Sequence, residues 1–168
     1  KTKEAHVRGG VNLVKDDTTL VAAEVHSYNN THMVATGDPI LTKGTSKLMG
    51  PTIDYDSVKE YALVTGWASL TTDDSTITAN QIESFFAEKR AIAQGNVHIV
   101  SDTRNLDATA NQAVYYGTQD GQPGKTILTG NVKAVQDGNV LTGNVMTLYL
   151  DKKAIDVQGR GKLIIIPE

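Results

Sequence analysis

Apolar and polar residues alternate with period two along most of the chain, in runs of about ten residues or fewer. Across residues 91–99, Ala91, Ala93, Gly95, Val97 and Ile99 fall on one face. Gln94, Asn96 and His98 fall on the other, with Ile92 as an apolar exception among them. Residues 62–70 repeat the arrangement, with Ala62, Val64, Gly66, Ala68 and Leu70 on the inner face. Such alternation marks a half-buried strand. The setting recurs around Gly9, Gly37, Gly66, Gly95, Gly130 and Gly159, at intervals of 28, 29, 29, 35 and 29 residues. A period in this range marks a stacked repeat architecture, in which one structural unit is copied. The glycine falls on the apolar face in each copy, which predicts close approach of an opposing sheet or a ligand to the backbone there.

A second strand-like half follows each glycine strand after about a dozen residues. Ala79-Asn80, Ala110-Asn111 and Gly143-Asn144 align, and an aromatic comes six residues after the small residue, at Phe85, Tyr116 and Tyr149. Looser copies pair Gly50-Pro51 with Tyr55 and Ala23-Glu24 with Tyr28. Turn-forming clusters fall in phase after both halves, for example Asp73-Asp74-Ser75 and Glu88-Lys89-Arg90. The long interval contains an insertion at 117–125, a Gly/Gln/Pro stretch without repeat pattern. The best helical candidate, 84–93, conflicts with the repeat alignment. The chain therefore predicts an all-β single domain over 1–168, with about a dozen short strands in antiparallel hairpin pairs, each laid on the last.

Composition narrows the class. Of 168 residues, 39% are hydrophobic and only 5% aromatic, so the core must be aliphatic and alanine-rich. Cysteine is absent, which removes disulfides and thiol chemistry and is compatible with cytoplasm or periplasm. The longest apolar run, 163–166, is far shorter than the roughly 20 residues of a membrane span. No signal peptide is visible at Lys1, and the polar lead-in to the first repeat predicts a mature or trimmed form. A net charge of −3 without a basic stripe argues against nucleic acid as partner.

Familiar catalytic patterns fail. His6, His26, His32 and His98 have no ligand spacing between them and are read as surface or strand-edge residues, with no metal and no cofactor expected. Asp16-Asp17 and Asp73-Asp74 occupy repeated turn positions. Gly124-Lys125-Thr126 resembles the end of a phosphate loop, but Gln119 stands where the first glycine is required. A carbohydrate-active β-helix needs two carboxylates in a cleft, and no repeat departs from pattern to supply them. The expectation is a protein that is not an enzyme. Trp67 falls on the outer face, as a plain surface aromatic or part of a contact patch.

The positive signal is the apolar face. Val64, Ala68, Leu70, Ile77, Val97, Ile99, Leu106, Val132 and Leu141 would line the space between two sheets. A filled sandwich core has the same signature. Small aliphatic lining and the absence of a polar cap at either end favour an open groove and free strand edges. Val7 and Val11 at one end, with Leu163, Ile164 and Ile165 at the other, are the candidates for end-to-end assembly.

The recurring Ala/Thr-x-Gly-Asn-Val strand, then Ala/Gly-Asn, then an aromatic, resembles the OstA-like (LptA) family of lipopolysaccharide transport proteins. The best segments are 92–97, 109–116 and 127–149, and the resemblance spans the chain at repeat level. It implies a twisted β-jellyroll, open like a V in cross-section, that carries lipid acyl chains inside. It also implies a periplasmic location, lipopolysaccharide or a related glycolipid as ligand, and assembly head to tail with itself and with other components of the transport bridge. Such a protein is peripheral to membranes and does not span them. Gly50-Pro51 and the 117–125 insertion depart from the family pattern. The alternative reading is a self-assembling structural β-solenoid with a filled core and no ligand.

Overall fold

The computed structural model describes residues 3–165. Among them there is no helix, and every strand pairing is antiparallel. The long strands are β1 (Glu4–Lys15), β2 (Thr18–Tyr28), β7 (Tyr61–Thr71), β8 (Thr76–Phe85), β9 (Arg90–Ser101), β10 (Leu106–Tyr116), β11 (Lys125–Gln136) and β12 (Asn139–Tyr149). The shorter strands come in successive pairs: β3 (His32–Thr36) with β4 (Ile40–Lys43), β5 (Ser46–Met49) with β6 (Thr52–Asp56), and β13 (Ile155–Gln158) with β14 (Lys162–Ile164). Each pair runs along the same neighbour and acts as one long strand broken at its middle. The breaks fall at Gly37-Asp38-Pro39, Gly50-Pro51 and Gly159-Arg160-Gly161, where proline removes a ladder donor or glycine turns the chain. The result, among the described residues, is a single meandering sheet with two free edges, β1 and β13/β14.

Every glycine strand that runs unbroken carries one extra residue at mid-length, and its partner carries none. Thr65 pairs with Gln81 and Ala68 with Ala79, so three steps on β7 face two on β8. The same mismatch occurs on β1, β9 and β11. This is a β-bulge, which bends a strand and increases its twist. At Gly95-Asn96 and Gly130-Asn131 both residues have positive φ, a region glycine enters freely and asparagine tolerates. The recurring Gly-Asn dipeptide is therefore a bending device, and its alignment makes a spine along which the sheet folds over. This corrects the expectation that the glycines admit an opposing sheet or a ligand. A Cβ on Gly95 would lie 2.6 Å from Asn80 Nδ2, and one on Gly130 would lie 2.6 Å from Asn111 Nδ2. The glycine of one repeat and the asparagine of the preceding repeat fit together across adjacent strands.

Folding at the spine brings two layers face to face. Inward residues of both, including Ile53, Val64, Leu70, Ile77, Ile82, Ile99, Leu128 and Met146, form one continuous buried cluster. Eleven alanines in the cluster keep the layers close. The far ends of the strands form two rims. One carries the turns near Asp17, Asp73, Asp102 and Asp137, and the other those near Glu60, Lys89 and Lys152. Lys43 on the first rim reaches Glu60 on the second, Nζ to Oε1 3.0 Å, which closes the layers opposite the spine.

The acidic turn residues also link successive repeats along the first rim. Asp17 accepts from Lys43 at 2.9 Å, Asp73 from Thr45 at 3.2 Å, and Asp137 from Asn105 at 3.3 Å. Asp74 accepts from Thr103 and from the buried Arg104 guanidinium, at 2.8 Å to Nη2. Each partner lies about one repeat away in sequence, so these residues are both turn formers and inter-repeat clamps.

Candidate functional site

All nine side chains expected to line a groove face the interior. Val64, Ala68, Leu70, Ile77, Val97, Ile99, Leu106 and Val132 are at most 4% exposed, and Leu141 is partly buried against them. They pack against the opposite layer, so the interior is filled. Opposite the spine, between the rims, lies a cleft of about 700 Å³. Leu70, Phe86, Ala91 and Leu150 give it an apolar floor, and Lys43, Lys89, Arg90, Asp73 and Asp74 stand around its mouth. Sequence reasoning missed this mouth, because it is made by rim residues of both turn classes whose convergence follows only from the fold over the spine.

The electrostatics of the mouth follow from this convergence. The Lys43 ammonium lies above its ordinary value, chiefly through its hydrogen bond to Asp17, with Glu60 adding to the effect. Asp17 is held below the usual carboxylate value, first by the same bond. Burial lifts the Tyr55 and Tyr115 phenols. Asp73 and Asp74, from the opposite rim, push Tyr115 further in the same direction.

On the outer face, the aromatic that closes each second strand falls into one register row: Tyr28, His32, Asp56, Tyr61, Phe85, Arg90, Tyr116, Lys125 and Tyr149. Arg90 stacks over Phe85 at 4.1 Å, and Lys152 lies over Tyr149 at 4.5 Å. Burial and then Glu83, which accepts the Tyr61 hydroxyl at 2.9 Å, push that phenol up to about 12. Tyr55 does not belong to the row. It follows Gly50 by five residues instead of six, so period two turns it inward, where it is buried. Three histidines meet beyond the row's start: His6 stacks on His26, and Tyr28 lies between His26 and His32. His32 contacts Asp54 at 2.6 Å. Among the described residues no three His, Asp or Glu side chains converge in metal-binding geometry. Trp67 is 50% exposed beside the spine.

The expected assembly residues divide. Val7 lies exposed on the free edge β1, whereas Val11 is buried in the core. Leu163 and Ile164 form β14 at the other free edge, and Ile165 follows it, all three exposed. Ile166 lies outside the described residues.

Residues 117–125, patternless within the repeat, form a small hairpin. Gln119 and Gln122 exchange backbone hydrogen bonds across Asp120-Gly121, both at positive φ, which is a two-residue primed turn. The Asp-Gly dipeptide was the sequence signal for it. Gly117 N–H donates to Lys89 O at 2.7 Å and Leu150 N–H to Gly124 O at 2.9 Å, anchoring both ends of the hairpin.

No family model matches the chain, and no curated protein matches it. Among solved structures the chain is similar to LptH of Pseudomonas aeruginosa, the LptA-homologous periplasmic component of its lipopolysaccharide transport device, at 17% identity and a TM-score of 0.40, over 89% of this chain and 95% of that one.

Proposed function

We propose that this protein is a periplasmic, non-enzymatic carrier of lipopolysaccharide or a related glycolipid, forming part of a bridge between inner and outer membrane. The observation that carries this reading is the seam: one sheet folded on an aliphatic interior, with a cleft between two rims that has an apolar floor beneath polar walls and is bridged by Lys43 and Glu60. The family-like repeat supplies the identity of the ligand. Acyl chains entering the seam replace layer-to-layer contacts, each buried methylene contributing about 0.8 kcal/mol. The interior is filled, so uptake requires the layers to spread, with the bulged spine as hinge and the Lys43–Glu60 bridge as latch. Sugars and phosphates stay outside, near the rim charges.

A filled interior also favours a second reading, a self-assembling scaffold without ligand. Binding of a fluorescent lipid-A analogue separates the two. Val97→Asp and Leu141→Asp each place a carboxylate on the inner face, where it is costly to bury unpaired. The carrier reading expects both to weaken binding at least about tenfold in variants still folded by circular dichroism. Undiminished affinity in both, or no binding by the parent chain, would leave the scaffold.

A further inference from the structure

The inserted hairpin breaks the repeat at one rim and folds over the outer face, away from the interior. Between it and the sheet lies an open cavity of about 620 Å³. Tyr116 and Tyr149, the two neighbours of Lys125 in the aromatic row, form its floor beside Ile127. Its wall is the hairpin. Gln119 and Gln122 sit directly opposite each other in the ladder, so their side chains project to the same side, and both line the cavity with Asp120. Among the described residues, these two amides and this carboxylate have no side-chain hydrogen-bond partner. The turn geometry and the two anchors hold the backbone that carries them before any ligand arrives. In repeat proteins, insertions of this kind commonly build the binding face.

We infer that this cavity is a carbohydrate-binding site that takes a neutral, polyhydroxylated sugar. Charge selects this class. The cavity holds one ammonium, Lys125, against Asp120 and Glu88, and Glu88 is already paired with Arg90 at 2.8 Å. Lys152, 4.5 Å over the Tyr149 ring, is offset by Asp156, which accepts the Tyr149 hydroxyl at 2.7 Å. The charges thus balance and no net positive cradle is left for a phosphate, while Lys125, about 5.9 Å over the Tyr116 ring, repels a cationic guest. What remains is the Tyr116 ring, 37% exposed, beside the half-buried Tyr149, next to amides and a carboxylate that can donate to and accept from hydroxyls. A pyranose offers apolar C–H faces to the rings and hydroxyls to the wall. The site is separate from the interior, so it stands or falls independently of lipid carriage.

Titrating the full chain with short linear glucans and chito-oligosaccharides, followed by amide chemical shifts and calorimetry, tests the assignment. Shifts should centre on Gln119, Gln122 and Tyr116. Tyr116→Ala and Gln119→Ala should each weaken binding about tenfold or more, while Trp67→Ala, at the other exposed aromatic, leaves it unchanged. Both tested side chains lie at the surface, so the fold is retained, as thermal melting will verify. A free glycan and the sugar head of a glycolipid share this chemistry. Tighter binding of a neutral glycolipid in detergent micelles than of its free sugar, lost in Tyr116→Ala, assigns the head; equal affinity assigns the free glycan. Absence of binding across the panel and the micelles, or affinity that Tyr116→Ala and Gln119→Ala leave intact, overturns the assignment.

Discussion

At the scale of single residues, the spine rests on two kinds of requirement that glycine alone meets together. Gly95 needs positive φ, and it also leaves room for Asn80. Gly138, in a rim turn, needs positive φ but has nothing within 4 Å of a would-be Cβ. Replacing each by alanine separates the terms. Gly138→Ala should cost the backbone term, about 1 kcal/mol. Gly95→Ala should cost about 2–3 kcal/mol, since Asn80 must also move. Urea unfolding of both variants, with Gly95→Ala combined with Asn80→Ala as partial rescue, checks this; equal costs would show that the Asn80 fit contributes nothing. The position of these glycines was legible in the sequence, but their role was not. Period-two counting places Gly95 on the inner face, whereas the bulge that makes it a bend depends on the residue count of the neighbouring strand. The outer row shows the converse: the six-residue spacing to Phe85, Tyr116 and Tyr149 was legible, and the one-residue shortfall at Tyr55 put that side chain in the core.

At the scale of elements, the rim clamps turn a stack of hairpins into a connected edge. The Lys43–Asp17 contact belongs to this set, and its pH dependence follows from the two shifts. Asp17 is lowered in the folded protein, so its contribution is in force at neutral pH and fades as pH falls below the ordinary carboxylate range. Lys43 is raised, so its contribution is in force below the ordinary ammonium value and fades as pH climbs through the folded one. The gap in melting temperature between the parent chain and Lys43→Met should therefore be widest between about pH 5 and pH 9 and narrow on both sides. A gap independent of pH would mean that Lys43 acts through its methylene stem alone. Glu60→Gln, which leaves Asp17 in place, should accelerate lipid uptake if the cross-rim contact is the latch. The Asp-rich turns were legible as turns. Their partnering one repeat away was not, because it requires neighbouring hairpins to be stacked in phase.

At the scale of the whole molecule, the two free edges dominate. Among the described residues, β1 and β13/β14 each leave one side of their backbone unpaired, and Leu163 and Ile165 are 58% and 68% exposed. Joined head to tail, such edges extend the sheet without closing it. Apparent mass in light scattering should rise steadily with concentration, and Ile164→Pro, which removes a donor from the edge, should suppress the rise. A concentration-independent monomer or a fixed dimer would defeat this. The all-β repeat was readable from one chain; the filled interior was not, since a groove wall and a packed core share the same alternation. The bulged spine has one more consequence, concerning how such a molecule can vary in size. Each unbroken glycine strand holds one residue more than its partner, and each side chain must keep its face. A single residue added within a strand would send its apolar side chains outward, whereas a duplicated hairpin preserves every count. The molecule is thus a ruler graduated in steps of about 9.5 Å, two strand spacings. The one irregular insertion sits at a rim, where it leaves the graduations untouched.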